Sequence, residues 1–161
     1  MIAHNLRSTH NVGSLLRTAE GLGVSHVYLT GYTPYPVSPQ DPRLPHLAQK
    51  VDQQIAKTAL GAETMIAWQH SDDITAVVTD LQAGGFTIAA LEQVKGSLAL
   101  PSYKSPPKIA LIVGREVEGI EPEVLKLADV YLEIPMAGQK ESFNVVQAAA
   151  MALYHLAYGI I

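Results

Sequence analysis

Hydrophobic and polar positions along the chain fall into two alternating rhythms. Four short runs are apolar on both faces and rich in β-branched residues: 24–31 (VSHVYLTG), 86–92 (FTIAALE), 108–114 (KIALIVG) and 129–135 (DVYLEIP). Runs of this kind read as strands of a parallel sheet covered on both sides. Between them, apolar residues recur at helical spacing over roughly 12–22, 46–59, 73–83, 121–127 and 142–158. Punctuation supports these bounds. Asp72 and Asp73 suit the start of the third helix and Gly84-Gly85 its end. Pro122 suits the first turn of the fourth, where acids are also favoured. Alternating strands and helices predict an α/β fold, mostly parallel, with helices on both faces of the sheet.

Between the first strand and the second helix, Thr30 to Pro45 carries prolines at 34, 36, 39, 42 and 45. Proline removes backbone donors and restrains the residue before it, so this stretch reads as a long ordered loop. Loops of that length in compact domains are usually functional.

Composition narrows the function classes. The 161 residues are 48% hydrophobic and 16% charged, which suits one folded domain and excludes a disordered chain. There is no cysteine, which removes thiolate chemistry and fits a reducing cytoplasm. No apolar run reaches the ~18–20 residues of a membrane span, so no membrane partner is expected. The six histidines are scattered without metal-ligand spacing, so no metal is expected. Phosphate-loop, nucleophile-elbow and dinucleotide fingerprints are absent, and Gly21-Leu22-Gly23 reads as a helix end before a strand. Net charge is −4, yet residues 1–60 carry five Lys/Arg against three Asp/Glu. A polyanion would therefore favour the N-terminal third.

Three clusters remain. In the first, Asn11, Gly13 and Arg17 lie on a helix whose Val12, Leu15, Leu16 and Ala19 form the buried face. Gly13, Arg17 and Glu20 share another face, and glycine leaves room there for a polar partner. A surface Arg17–Glu20 ion pair explains the same spacing and is the simpler reading of it. In the second, an apolar strand runs into Gly114-Arg115-Glu116-Val117-Glu118-Gly119. Ligands of open α/β sheets bind at such strand ends, though an ordinary turn has the same look. In the third, Ile134-Pro135-Met136-Ala137-Gly138 leads through Ser142, a predicted N-cap, to Phe143 and Asn144 in the first turn of a long apolar helix. Its stripe of Phe143, Val146, Ala150, Leu153 and Ala157, with Val145, Ala149 and Leu156 beyond, is too wide for one sheet face. A plain core helix remains the alternative.

In this order and spacing the three clusters resemble the SpoU/TrmH-type branch of the SPOUT RNA ribose methyltransferases. The matching residues are Asn11, Gly13 and Arg17; Gly114, Glu116 and Gly119; then Ile134, Pro135, Met136, Gly138, Ser142, Asn144 and Val145. Arg115 stands where a small residue is common, and Phe143 where leucine is usual. The resemblance covers essentially the whole chain. It implies a C-terminal trefoil knot, with the pocket built by loops 114–119 and 134–142. It implies S-adenosylmethionine as cofactor, held near Leu91, Gly114, Gly119, Ile134, Met136 and Phe143. It also implies a homodimer and methylation of a ribose 2′-hydroxyl. Arg17 would be the catalytic arginine, with Asn11, Glu116, Ser142 and Asn144 orienting ribose and cofactor. The RNA substrate, tRNA in preference to rRNA, would be bound through Arg7, Arg17, Arg43 and Lys50, with Arg115 and Lys140 as further candidates. No separate RNA-binding domain is expected, because the first motif begins within a dozen residues of the start. The alternative is a non-catalytic RNA-binding or assembly dimer of the same fold.

Overall fold

The computed structural model describes residues 1–159. Seven strands form one sheet in the order β3-β2-β1-β6-β4-β7-β5. They are β1 Ile2–His4, β2 Val27–Thr30, β3 Trp68–Ser71, β4 Thr87–Leu91, β5 Leu98–Ala99, β6 Ile109–Val113 and β7 Val130–Glu133. Every strand pair is parallel. The helices are α1 Thr9–Gly21, α2 Pro45–Ala59, α3 Ile74–Ala83, α4 Pro122–Leu125 and α5 Val145–Tyr158.

Alternation along the central strands explains the two-sided core. In β6, Leu111 and Val113 face the core shared with α1, α2 and α5, whereas Ala110 and Ile112 face the core shared with α3 and α4. In β4, Ala89 takes the first side, and Ile88 and Ala90 take the second. Side chains of a strand alternate between faces, so an all-apolar strand must have helices on both sides.

The four expected strands are present, each shorter than its apolar run. Three more were not read from the sequence. β1 and β5 are only three and two residues long, too short for a period. β3 is the edge strand Trp-Gln-His-Ser, half-buried and polar. Helix ends follow their side chains. Ser8 Oγ accepts from Asn11 N at 3.2 Å and starts α1 three residues before the expected point. Asp73 caps α3 through Thr75 N and Ala76 N.

α5 begins later than expected. Asn144, not Ser142, is the cap, and its Oδ1 accepts from Val146 N at 2.9 Å. Ser142 and Phe143 therefore belong to the preceding loop. Both residue types cap well, and Phe143 between them lines the cavity described below. The buried stripe of α5 is Ala149, Ala152 and Leu153, flanked by Val145 and Leu156. Its outward side carries Met151, Tyr154 and Tyr158, and the two tyrosine rings lie 5.3 Å apart.

Candidate active site

The carboxyl ends of β4, β6 and β7 lie side by side and open onto a cavity of about 280 Å³. That is close to the lower limit for small-molecule sites, and this is where an α/β sheet places them. Leu91, Gly114, Gly119, Ile134, Met136 and Phe143, the six residues assigned to a cofactor, all line it. Glu116 and Ser142 line it as well. Glu92, Glu118, Glu133 and Glu141 add carboxylates, against Arg115 as the one lining cation among the described residues. The cavity therefore combines apolar walls with a net negative charge.

Loop 114–121 is closed on itself. Arg115 and Gly119 exchange backbone bonds at 3.3 and 3.2 Å. Gly119 has φ +71°, and a Cβ there would strike the Glu92 carboxylate, whose Oε2 accepts from Ile120 N at 2.8 Å. Gly114, which lines the cavity, is also closely approached by its own loop. A Cβ would come within 2.6 Å of Ile120 Cγ1 and 2.9 Å of Gly119 C, so the glycine admits the returning loop. Glu92 was not read from the sequence. Its only signal there is an acid one residue past a strand end.

Glu116 turns from this loop to the start of α1. Its Oε1 accepts from Asn11 Nδ2 at 3.0 Å and from Ser8 N at 3.3 Å, and its Oε2 accepts from Arg7 N at 3.4 Å. Burial works against ionising this carboxyl. The bonds from Asn11 and the backbone outweigh it, and the group sits below its ordinary value. A negative charge at a helix N-terminus also complements the helix dipole. The structure thus joins Asn11, which does not itself line the cavity, to Glu116, which does.

Other expected residues are placed elsewhere. Arg17 is exposed and does not line the cavity. It stands about 9 Å further along the α1 axis than Asn11 at the usual rise per residue. Among the described residues it forms no ion pair, with Glu20 or any other acid. The space above Gly13 is filled by polar atoms of α2. A Cβ on Gly13 would collide with Ile55 O and Thr58 Oγ1. Asn144 is occupied at Oδ1 by its capping bond and is absent from the cavity wall.

The basic candidates divide. Arg43 is half-buried and braces the proline-rich loop. It lies 3.7 Å over the Tyr35 ring, donates to Tyr35 O and Pro36 O, and holds the Asp41 carboxylate through Nε at 2.8 Å. Four of the five guanidinium N–H donors are engaged within this loop, which leaves one for a phosphate. Arg7 is exposed and pairs with Glu118 at 2.8 Å. Lys50 is exposed on α2. Arg115 Nε faces Gly119 O at 3.3 Å and Glu121 Oε1 at 3.5 Å, so its charge braces the loop. Lys140 is exposed in the loop before α5.

Comparison with known proteins places this arrangement. A Staphylococcus aureus relative named for the TrmH family of tRNA/rRNA methyltransferases is 26% identical over 97% of this chain and 57% of that protein. A tRNA (guanosine(18)-2′-O)-methyltransferase of Aquifex aeolicus is 25% identical over 96% of this chain and 66% of that protein. The chain thus spans somewhat over half the length of these relatives. Among solved structures, an AdoMet-bound rRNA methyltransferase of Sinorhizobium meliloti superposes with a TM-score of 0.81 at 21% identity, over 99% of this chain and 56% of that one. The Aquifex aeolicus TrmH/SpoU tRNA modifying enzyme gives 0.78 at 23%, over 98% and 73%. These likenesses establish a common fold. Sequence match extends over residues 1–154, all three clusters included, and the chain belongs to the SpoU rRNA Methylase family.

Proposed function

We propose that this chain transfers a methyl group from S-adenosylmethionine to a ribose 2′-hydroxyl of RNA. The observation that carries the reading is the junction of Glu116 with the start of α1. It brings the helix of Asn11 and Arg17 against the wall of the cavity that six expected cofactor residues line. The donor set fits the cofactor: apolar walls at Leu91, Ile134, Met136 and Phe143 suit an adenine, and the surrounding carboxylates suit a cationic sulfonium and ammonium. Bound there, the cofactor would supply an electrophilic methyl group without a metal or a covalent enzyme intermediate.

The chain's own residues must orient the hydroxyl and handle its proton. Arg17 is a poor base, because a guanidinium stays protonated at neutral pH. It suits a role on the adjacent phosphate and the developing alkoxide. Within one protomer it does not reach the cavity wall, which supports a homodimer in which Arg17 serves the partner's cavity. The outward Met151, Tyr154 and Tyr158 of α5 supply an apolar face for that contact. Loops 114–119 and 134–142, which share the cavity wall, are the segments that would form the family's trefoil knot. The RNA is structured, with tRNA preferred to rRNA, and is met by Arg7, Arg17 and Lys50 in the cytoplasm.

The experiment is methyl incorporation from labelled cofactor into tRNA, rRNA and DNA, followed by nucleoside analysis. The reading expects 2′-O-methylated nucleosides from tRNA. Label in rRNA alone overturns the tRNA preference, and label in DNA alone overturns the ribose assignment. Cofactor binding without label in any RNA would leave the non-catalytic dimer.

A further inference from the structure

Outside the cavity, a second polar cluster joins three segments at the carboxyl end of β1. Asn5, the residue after that strand, has φ +54°, a conformation that side chains other than asparagine and glycine rarely adopt. Its backbone N donates to Thr30 O at 3.1 Å. Its Oδ1 accepts from Tyr32 N at 3.1 Å, at the root of the proline-rich loop. Its Nδ2 donates to Glu121 Oε1 at 2.8 Å and lies 3.0 Å from His4 Nε2. The carboxamide can face only one way, because the flipped form would set its oxygen against a carboxylate and its NH₂ against a backbone N–H. His4 Nε2 is then an acceptor and its proton is on Nδ1, 2.9 Å from Thr30 Oγ1. Burial, which pushes the imidazole down, agrees with the neutral form.

The fit is tight on both sides. Gly31 has φ +65°, and a Cβ there would collide with Asn5 Oδ1. Among the described residues, Asn5 supplies the one hydrogen bond that the Glu121 carboxylate accepts. Glu121 Oε2 is buried without a hydrogen-bond partner. Glu121 in turn faces Arg115, which binds Gly119 O across the cavity loop. A chain of contacts therefore runs from Tyr32 through Asn5, Glu121 and Arg115 to the cavity wall, and three of its four members lie outside that wall.

We propose that Asn5 is a positioning residue that ties the proline-rich loop to the cofactor-cavity loop 114–121 and sets the shape of both. The proposal rests on reading the cavity as the S-adenosylmethionine site. By linkage, a ligand that orders one loop favours the ordered form of the other.

Asn5→Gly tests it, because glycine keeps the positive φ and removes only the carboxamide. Asn5→Asp is the companion: it keeps the acceptor for Tyr32 N and sets a second carboxylate against Glu121. Hydrogen exchange on the cofactor-free protein is expected to quicken at Tyr32 and across 115–121 in Asn5→Gly, and only across 115–121 in Asn5→Asp. Calorimetry with S-adenosylmethionine is expected to show about a fivefold or larger rise in Kd for both variants, since part of the worth of one lost bond to a charged group is passed on through the loop. Wild-type Kd and unchanged exchange across 115–121, even with a lowered Tm, would overturn the proposal. Absence of binding by the wild type would overturn the cavity reading instead, and the exchange experiment would still decide whether Asn5 ties the two loops.

Discussion

The carboxylate of Glu116 and the carboxamide of Asn11, 105 residues apart in the chain, meet at 3.0 Å. The carboxylate belongs to a loop at a strand end and the carboxamide to the first turn of α1. Glu116→Ala removes this bond, the acceptor for two backbone N–H groups and a favourable charge at the helix start. A loss of about 1–2 kcal/mol is expected. Chemical denaturation measures it, and Glu116→Gln should recover part of the stability because its amide oxygen still accepts.

Gly13 and Gly21 occupy the same helix and should respond in opposite directions. Gly13→Ala drives a methyl into Ile55 O and Thr58 Oγ1 on α2 and should cost about 2–3 kcal/mol, since backbone cannot move aside cheaply. Gly21→Ala meets nothing within 4 Å and should be neutral or stabilise by about 0.5 kcal/mol. Paired thermal melts would show the contrast.

Arg17→Ala should leave Tm and cofactor Kd close to wild type, because the side chain is exposed and unpaired among the described residues. Methyl transfer should fall by at least about a hundredfold, the usual scale for losing one charge-stabilising group in a transition state. Near-wild-type turnover would reduce Arg17 to a surface charge.

Tyr154 is 61% exposed on the outward side of α5. If that side is the dimer contact, Tyr154→Lys places a charge in an apolar interface and should halve the mass seen by light scattering at micromolar concentration. An unchanged dimer would move the interface elsewhere.

The Asp41–Arg43 pair predicts a pH dependence. Bonds from the Arg43 guanidinium hold the Asp41 carboxyl well below its ordinary 3.8. The unfolded chain therefore takes up this proton first on acidification. The stabilisation is complete above that value and declines as pH falls through the folded value. Asp41→Asn should melt lower than wild type near neutrality, and the gap should narrow below about pH 4.

Much of this protein is determined by local sequence. The two-sided apolar runs at 86–92 and 108–114 demand a covered parallel sheet, because alternate side chains cannot both reach water. Asp73 and Gly84 bound α3 through contacts within a few residues. The order of the three clusters marks the family, and the second and third mark the cavity wall. What tertiary structure alone decided involves partners far apart in the chain. Gly13 reads as open space until α2 arrives against it. Arg43 reads as a free cation until Asp41 and two carbonyls use its donors. Ser142 and Asn144 both suit a cap by residue type, and the folded chain uses Asn144. β1 and β3 have no period long enough to see, and pairing with β2 makes them strands. Asn5 and Glu121 are unremarkable letters until the fold sets them 2.8 Å apart, 116 residues from one another. A side chain's chemistry is written in the sequence, but which donors and acceptors remain unspent is settled only by long-range packing.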